Sequence, residues 1–203
     1  MTEETLGQAP AHTQLGFIDT FMGTLVAPVQ TFKKLSEDCS HEINHLPGAL
    51  AIVVLVFAMD ALRLTPAKHV GWALFNIPSE VTGGLTLWVL SAAVVGLTAL
   101  CFGAPMSKLR AAFVTLAWSL LPWIFMGPIA CFNTVLGNAN VLFMGIPLVW
   151  ILVLQIIAVK QSFDMKVWQA LVLFLVVPPL LSWYQFMQLL QGLAATIGSL
   201  LAQ

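Results

Sequence analysis

Charge is what this sequence has least of. Only 8% of its 203 residues are Asp, Glu, Lys or Arg, against about 25% in a soluble domain whose surface must face water. So little charge cannot cover a folded surface, and the remainder must meet a solvent other than water. No basic excess exists either: the net charge is −1, which gives nucleic acid nothing to bind. Three cysteines, Cys39, Cys101 and Cys131, are too few and too scattered for a disulfide framework. The opening MTEETLGQAPAHTQ is polar and acidic, without the basic start and apolar core of a secretory leader. Neither end carries a lipidation motif. A phosphate loop, a dinucleotide fingerprint and a Ser-His-Asp arrangement are all missing, so no cofactor is expected.

Long apolar runs are what the sequence has instead. It is 59% hydrophobic, with a mean hydropathy of +0.92. About 20 apolar residues cross roughly 30 Å of hydrocarbon at 1.5 Å per residue. Runs of that kind fall at about 47–64, 81–103, 111–132, 141–159 and 167–190. The predicted fold is therefore an all-α membrane protein. Five transmembrane helices in residues 47–203, ending in an apolar tail, follow a polar tail over 1–14 and an amphipathic segment and linker over 15–46. The tail after Gln185 either extends the fifth helix or turns along the surface, with Gly192 as the break.

The eight basic side chains orient these helices. Lys33 and Lys34 precede the first, Lys108 and Arg110 lie between the second and third, and Lys160 and Lys166 between the fourth and fifth. With five crossings all six share one side, leaving Arg63 and Lys68 on the other. By the positive-inside rule the N-terminus is cytoplasmic and the C-terminus outside.

Between Leu15 and Leu35 the pattern changes. Ile18, Phe21, Met22, Leu25, Val29 and Phe32 recur at helical spacing, with Lys33 and Lys34 at the edge. Pro28 splits the segment into two short pieces. Such a stripe suits helices lying in the cytoplasmic interface; the alternative is packing on the ends of the bundle.

Four features carry candidate function. His41-Glu42-Ile43-Asn44-His45 fits H-E-x-x-H, in which two imidazoles on one helical face hold zinc and the Glu activates water. Pro47 ends the helix this needs, and a third ligand is lacking. Cys39 is adjacent but forms a poor shell with His41 and His45. Glu80, the one later Glu, is predicted on the opposite side of the membrane. A solvated polar linker is the expected reading, ahead of a structural metal site and a protease. Asp60 and Arg63, at i and i+3, form a local ion pair, with an intramembrane ion or proton site as the alternative. Pro122 and Pro128 break the third helix and Pro178 and Pro179 the fifth, for packing or for a transport site. Ser91, Ala92, Gly96 and Ala99 give the second helix a small face for close helix contact, with a partner or with the bundle. Seven tryptophans fall mostly near predicted helix ends, as an aromatic belt.

The layout resembles the Yip1-domain family. The likeness covers the chain from about Phe17 onward. It rests on Pro28, Thr31 and Phe32 in APVQTFKKL, on FGAPMSKLRAAFVTLAWSLLPWIF, and on the short basic loop in WILVLQIIAVKQSFDMKVWQAL. The resemblance implies five helices and no catalytic residues. Eukaryotic members resemble trafficking factors that bind small GTPases; the short N-terminus and tight loops look more like a bacterial member in the cytoplasmic (inner) membrane. The function expected is a non-enzymatic, membrane-organising or partner-binding protein in contact with lipid and with other membrane proteins or itself. A small transporter or channel using Asp60 and the broken helices is the alternative, and a zinc hydrolase the least favoured.

Overall fold

A computed structural model describes residues 15–40, 44–64, 70–132 and 139–176. Each regular element among them is helical. Helices α1 (Phe17–Val26) and α2 (Pro28–Ser40) come first. They are followed by α3 (Leu46–Leu64) and α4 (Val70–Cys101). The third apolar run is divided into α5 (Leu109–Ser119), a 3-10 stretch (Leu121–Phe125) and α6 (Met126–Cys131). Helices α7 (Ala139–Phe163) and α8 (Val167–Val176) complete the described chain. Among the described residues, three spans are long and apolar enough to cross a bilayer: Asn76–Cys101, Met106–Ala130 and Phe143–Phe163. The remainder of the predicted fifth helix with Pro178 and Pro179, the polar tail over 1–14 and the apolar C-terminal tail lie outside the described residues.

Local chemistry explains the breaks. Ala27 precedes Pro28, whose ring disfavours helical backbone at the residue before it; Ala27 sits at φ −137°, ψ 60°, and α2 restarts with proline in its first position. Pro122 falls inside the 3-10 stretch, where the tighter helix absorbs the lost hydrogen bond. Pro78 and Pro147, by contrast, are accommodated within α4 and α7. For that reason α4 begins eleven residues ahead of the run predicted from Val81.

Two helix ends are closed by left-handed residues. After α4, Gly103 takes φ +83°; its N–H donates to Leu100 O at 2.9 Å and the Ala104 N–H to Ala99 O at 3.1 Å. This paired closure satisfies carbonyls the helix would leave open. After α7 the same turn is made by Asp164 at φ 52°, with Met165 N–H on Lys160 O at 3.1 Å. A Cβ is disfavoured in that conformation, and Asp is among the few side chains that tolerate it.

The core runs through α3, α4, α5 and α7. Ile52, Val53, Val56, Val95, Val114, Ile151 and Leu154 are at most 1% exposed. At Gly84, α4 lies flat on the Phe57 ring of α3: a Cβ there would overlap the ring. Trp88, Trp118 and Trp123 are core side chains rather than members of an interfacial belt, at 5%, 2% and 6% exposure. The Trp88 indole N–H donates to Phe113 O at 3.1 Å, and its ring meets the Phe113 ring edge-on at 5.8 Å. Trp150 and Trp168 are exposed.

Candidate functional site

Two features stand apart from the packed bundle: the α1–α2 pair and the polar end beneath it. Helix α1 is turned inside out for a protein in water. Thr20 and Thr24 are its buried residues, whereas Ile18 and Val26 are 75% and 79% exposed, and Phe17 and Met22 about half exposed. The two hydroxyls need no partner from the bundle. Thr20 donates to Gly16 O and Thr24 to Thr20 O, each at 2.8 Å. Phe17 packs on Trp118, ring centroids 5.2 Å apart, and lies against Gly48 in the first turn of α3. Further along, Leu25 shares an apolar groove with Pro122, Phe125 and Ile146. Pro122 is about 20 Å of helical rise beyond Leu109. Hence α1 starts near one end of the bundle and descends toward its middle.

Helix α2 returns. Gly23 of α1 sits tight against Thr31, closing the hairpin. Phe32 and Leu35 are fully buried, with Thr31, Ser36, Asp38 and Cys39 nearly so, against α5 and α7. Lys33 and Lys34 remain exposed. The stripe read from the sequence is therefore divided. Ile18, Met22, Val26 and Val29 face outward, Phe21 and Leu25 are half buried, and Phe32 belongs to the core.

The polar end gathers residues distant in sequence. Lys33, Lys108, Arg110, Gln161 and Asp164 line one cavity of about 460 Å³. The three basic regions thus meet at one end, and the chain leaves that end and returns twice, through α3–α4 and through α5–α7. Lys108 Nζ donates to Asp164 Oδ2. Arg110 Nη2 donates to Asn44 Oδ1 at 3.1 Å, and the same oxygen accepts the Leu46 N–H at 3.3 Å, opening α3. His45 Nε2 donates to Asp38 Oδ2 at 3.0 Å, tying the linker to α2. Beneath the cavity, Thr115 and Ser162 share a buried hydrogen bond at 2.7 Å between α5 and α7.

The remaining sequence candidates divide as follows. His41 and Glu42 lie outside the described residues. Helix α2 ends at Ser40 and His45 is non-helical, so Cys39 and His45 do not share a helical face. Glu80 is about 32 Å along α4 from its Cys101 end, and no cluster of metal-binding side chains occurs among the described residues. Ser91, Ala92, Gly96 and Ala99 are all buried within the chain, where Gly96 lies hard against Leu109. The α4 surface left open carries Val89, Leu90 and Leu97. Asp60 is buried and engaged in a polar contact, next to Met59, which packs on Gly127 of α6. The Arg63 side chain lies outside the described part.

Burial raises the Cys39 thiol from its ordinary 9.0 to about 11; nearby Arg110 opposes this and Asp38 adds to it. Folding thus disfavours the thiolate. Stability is unaffected below pH 9 and falls as pH climbs toward 11. Cys39→Ala should melt at a lower temperature at pH 8, from the lost packing of the buried sulfur, while wild type should lose more than the variant between pH 9 and 11. Parallel losses would refute the assignment.

An all-helical bundle with several membrane-length apolar helices, carrying Lys33, Lys108 and Arg110 together at one end, defines a polytopic membrane protein. More narrowly, the chain belongs to the Yip1-domain family: the Yip1 domain matches residues 22–189. Among curated proteins and solved structures, none matches.

Proposed function

We propose that this chain is a non-enzymatic member of its family that organises the bilayer, or partners within it, through the α1–α2 hairpin. The observation that carries the reading is the reversed polarity of α1, with threonines inward and Ile18, Met22 and Val26 outward. Left in water, each such side chain forgoes roughly 1.5–3 kcal/mol of burial. Hydrocarbon removes that penalty, and the descent of α1 toward Pro122 puts the exposed face at hydrocarbon depth. The hairpin enters and leaves at the basic end, so it adds volume to one leaflet only. By the positive-inside rule that leaflet is cytoplasmic. Five crossings, completed by a helix continuing from α8, would leave the C-terminus outside, in the inner membrane of a bacterium.

Purified protein added to preformed vesicles, and so inserted in one orientation, is expected to tubulate or shrink them, as seen by electron cryomicroscopy. The variant Ile18→Gln/Met22→Gln/Val26→Gln should leave them round. Equal remodelling by both would sink the reading.

A further inference from the structure

We propose that the cavity at the basic end binds a phosphate group, held by Arg110, Lys108 and Lys33 with the Ser36 and Ser107 hydroxyls. All five line the cavity. Its volume of about 460 Å³ falls in the roughly 300–1,000 Å³ range of small-ligand sites. Two carboxylates, Glu37 and Asp164, line it as well, so the five charged side chains sum to +1.

The carboxylates do not close the site. The side chain of Asp164 is 75% exposed and that of Glu37 54% exposed. Lys33 meets Glu37 at only 3.9 Å, within one turn of α2. Exposed pairs of this kind contribute about 0–1 kcal/mol, and a phosphate bearing up to two charges competes with them. Arg110 is better placed. It is half buried, and among the described residues its hydrogen bond goes to the neutral Asn44 amide. One edge of the guanidinium is fixed, and the others, which make no hydrogen bond among the described residues, can offer paired N–H groups to phosphate oxygens.

Two structural details keep the cations in place. The left-handed Asp164 turns its carboxylate onto Lys108, so that ammonium is positioned before any ligand arrives. The Thr115–Ser162 bond underneath locks α5 to α7, which line the cavity together with α2. The cavity opens at the end of the bundle from which the long apolar helices run, where a headgroup layer would lie. A lipid phosphodiester or phosphomonoester can therefore present the group, and so can a soluble phosphate. The inference rests on the cavity alone and stands or falls apart from the hairpin reading.

Native mass spectrometry of the full chain in detergent, with phosphatidic acid, phosphatidylglycerol or phosphatidylcholine, reads the lipid arm; melting with inorganic phosphate or sulfate reads the soluble arm. Binding of the anionic lipids at least tenfold tighter than phosphatidylcholine is expected if the source is lipid. A melting rise with phosphate that sulfate does not match is expected if it is soluble. Arg110→Gln should abolish either response. Ser107→Glu, an exposed change that puts a negative charge into the cavity and spares the core, should do the same even if Arg110→Gln fails to fold. Equal retention of all three lipids with no phosphate shift overturns the proposal, as does a response that Ser107→Glu leaves intact.

Discussion

Phe32→Ala should release α2 from the bundle. The side chain is fully buried, and truncating such a Phe costs about 3–5 kcal/mol. Hydrocarbon near the hairpin's tip recovers part of that loss, and Lys33, Lys34 and Glu37 on the outer face of α2 limit how far the opened helix can follow it in, so the low end of the range is expected. Lys33 and Lys34 report on it directly: trypsin cleavage after them should accelerate by about two orders of magnitude, the equivalent of roughly 3 kcal/mol of local opening. An interfacial Phe32 facing lipid would give unchanged cleavage instead, and that outcome would contradict the observed packing.

A larger disruption is expected at Gly84. In the hydrocarbon region burial drives little, since lipid is as apolar as a side chain, and helices hold together by close packing. The backbone of α4 rests on the Phe57 ring, and the crowded atoms include the ring carbon nearest the backbone, which no end-of-chain rotation can move aside. Gly84→Val should separate α3 from α4, the pair with the most extensive contact in the fold. Overpacking costs typically about 1–3 kcal/mol, and two helices displaced together place this change at or above the top of that range. Loss of the monodisperse peak in detergent, or a melting temperature lowered by many degrees, checks it. Gly83→Val is the control, because a Cβ at Gly83 meets nothing within 4 Å.

The sequence exposed the shared end of Lys33, Lys108 and Arg110 better than it exposed the surfaces. Counting lysines and arginines between apolar runs put three basic regions on one side, and Lys33, Lys108 and Arg110 do line one cavity. Pro28 also announced the break between α1 and α2. What could not be read was phase. The residues Ile18 to Phe32 keep one helical spacing across Pro28, but a helix that restarts after a proline takes a new rotation, and Phe32 turns inward. Thr20 and Thr24 give no sign of burial in the sequence. Each satisfies its hydroxyl on its own backbone, so the pair packs inward and leaves the apolar side to face out.

The candidate site was legible only in pieces. HEINH drew attention because its residues are contiguous, yet α2 stops at Ser40 and His45 is taken by Asp38. Asn44, Ser107 and Asp164 carried no signal alone. They come from the linker before α3, a 3-10 turn over Met106–Lys108 and the left-handed cap after α7, which only the folded chain brings together. The small face of α4 was visible, but spacing alone does not distinguish a neighbour in the same chain from a partner.

With 32 residues, α4 reaches about 48 Å, against roughly 30 Å of hydrocarbon. Some 18 Å of it must tilt or protrude. Its first third holds Asn76, Pro78, Ser79 and Glu80, side chains that belong in water, so the surplus, whether taken up by tilt or by projection, falls at the end of α4 away from Lys108 and Arg110.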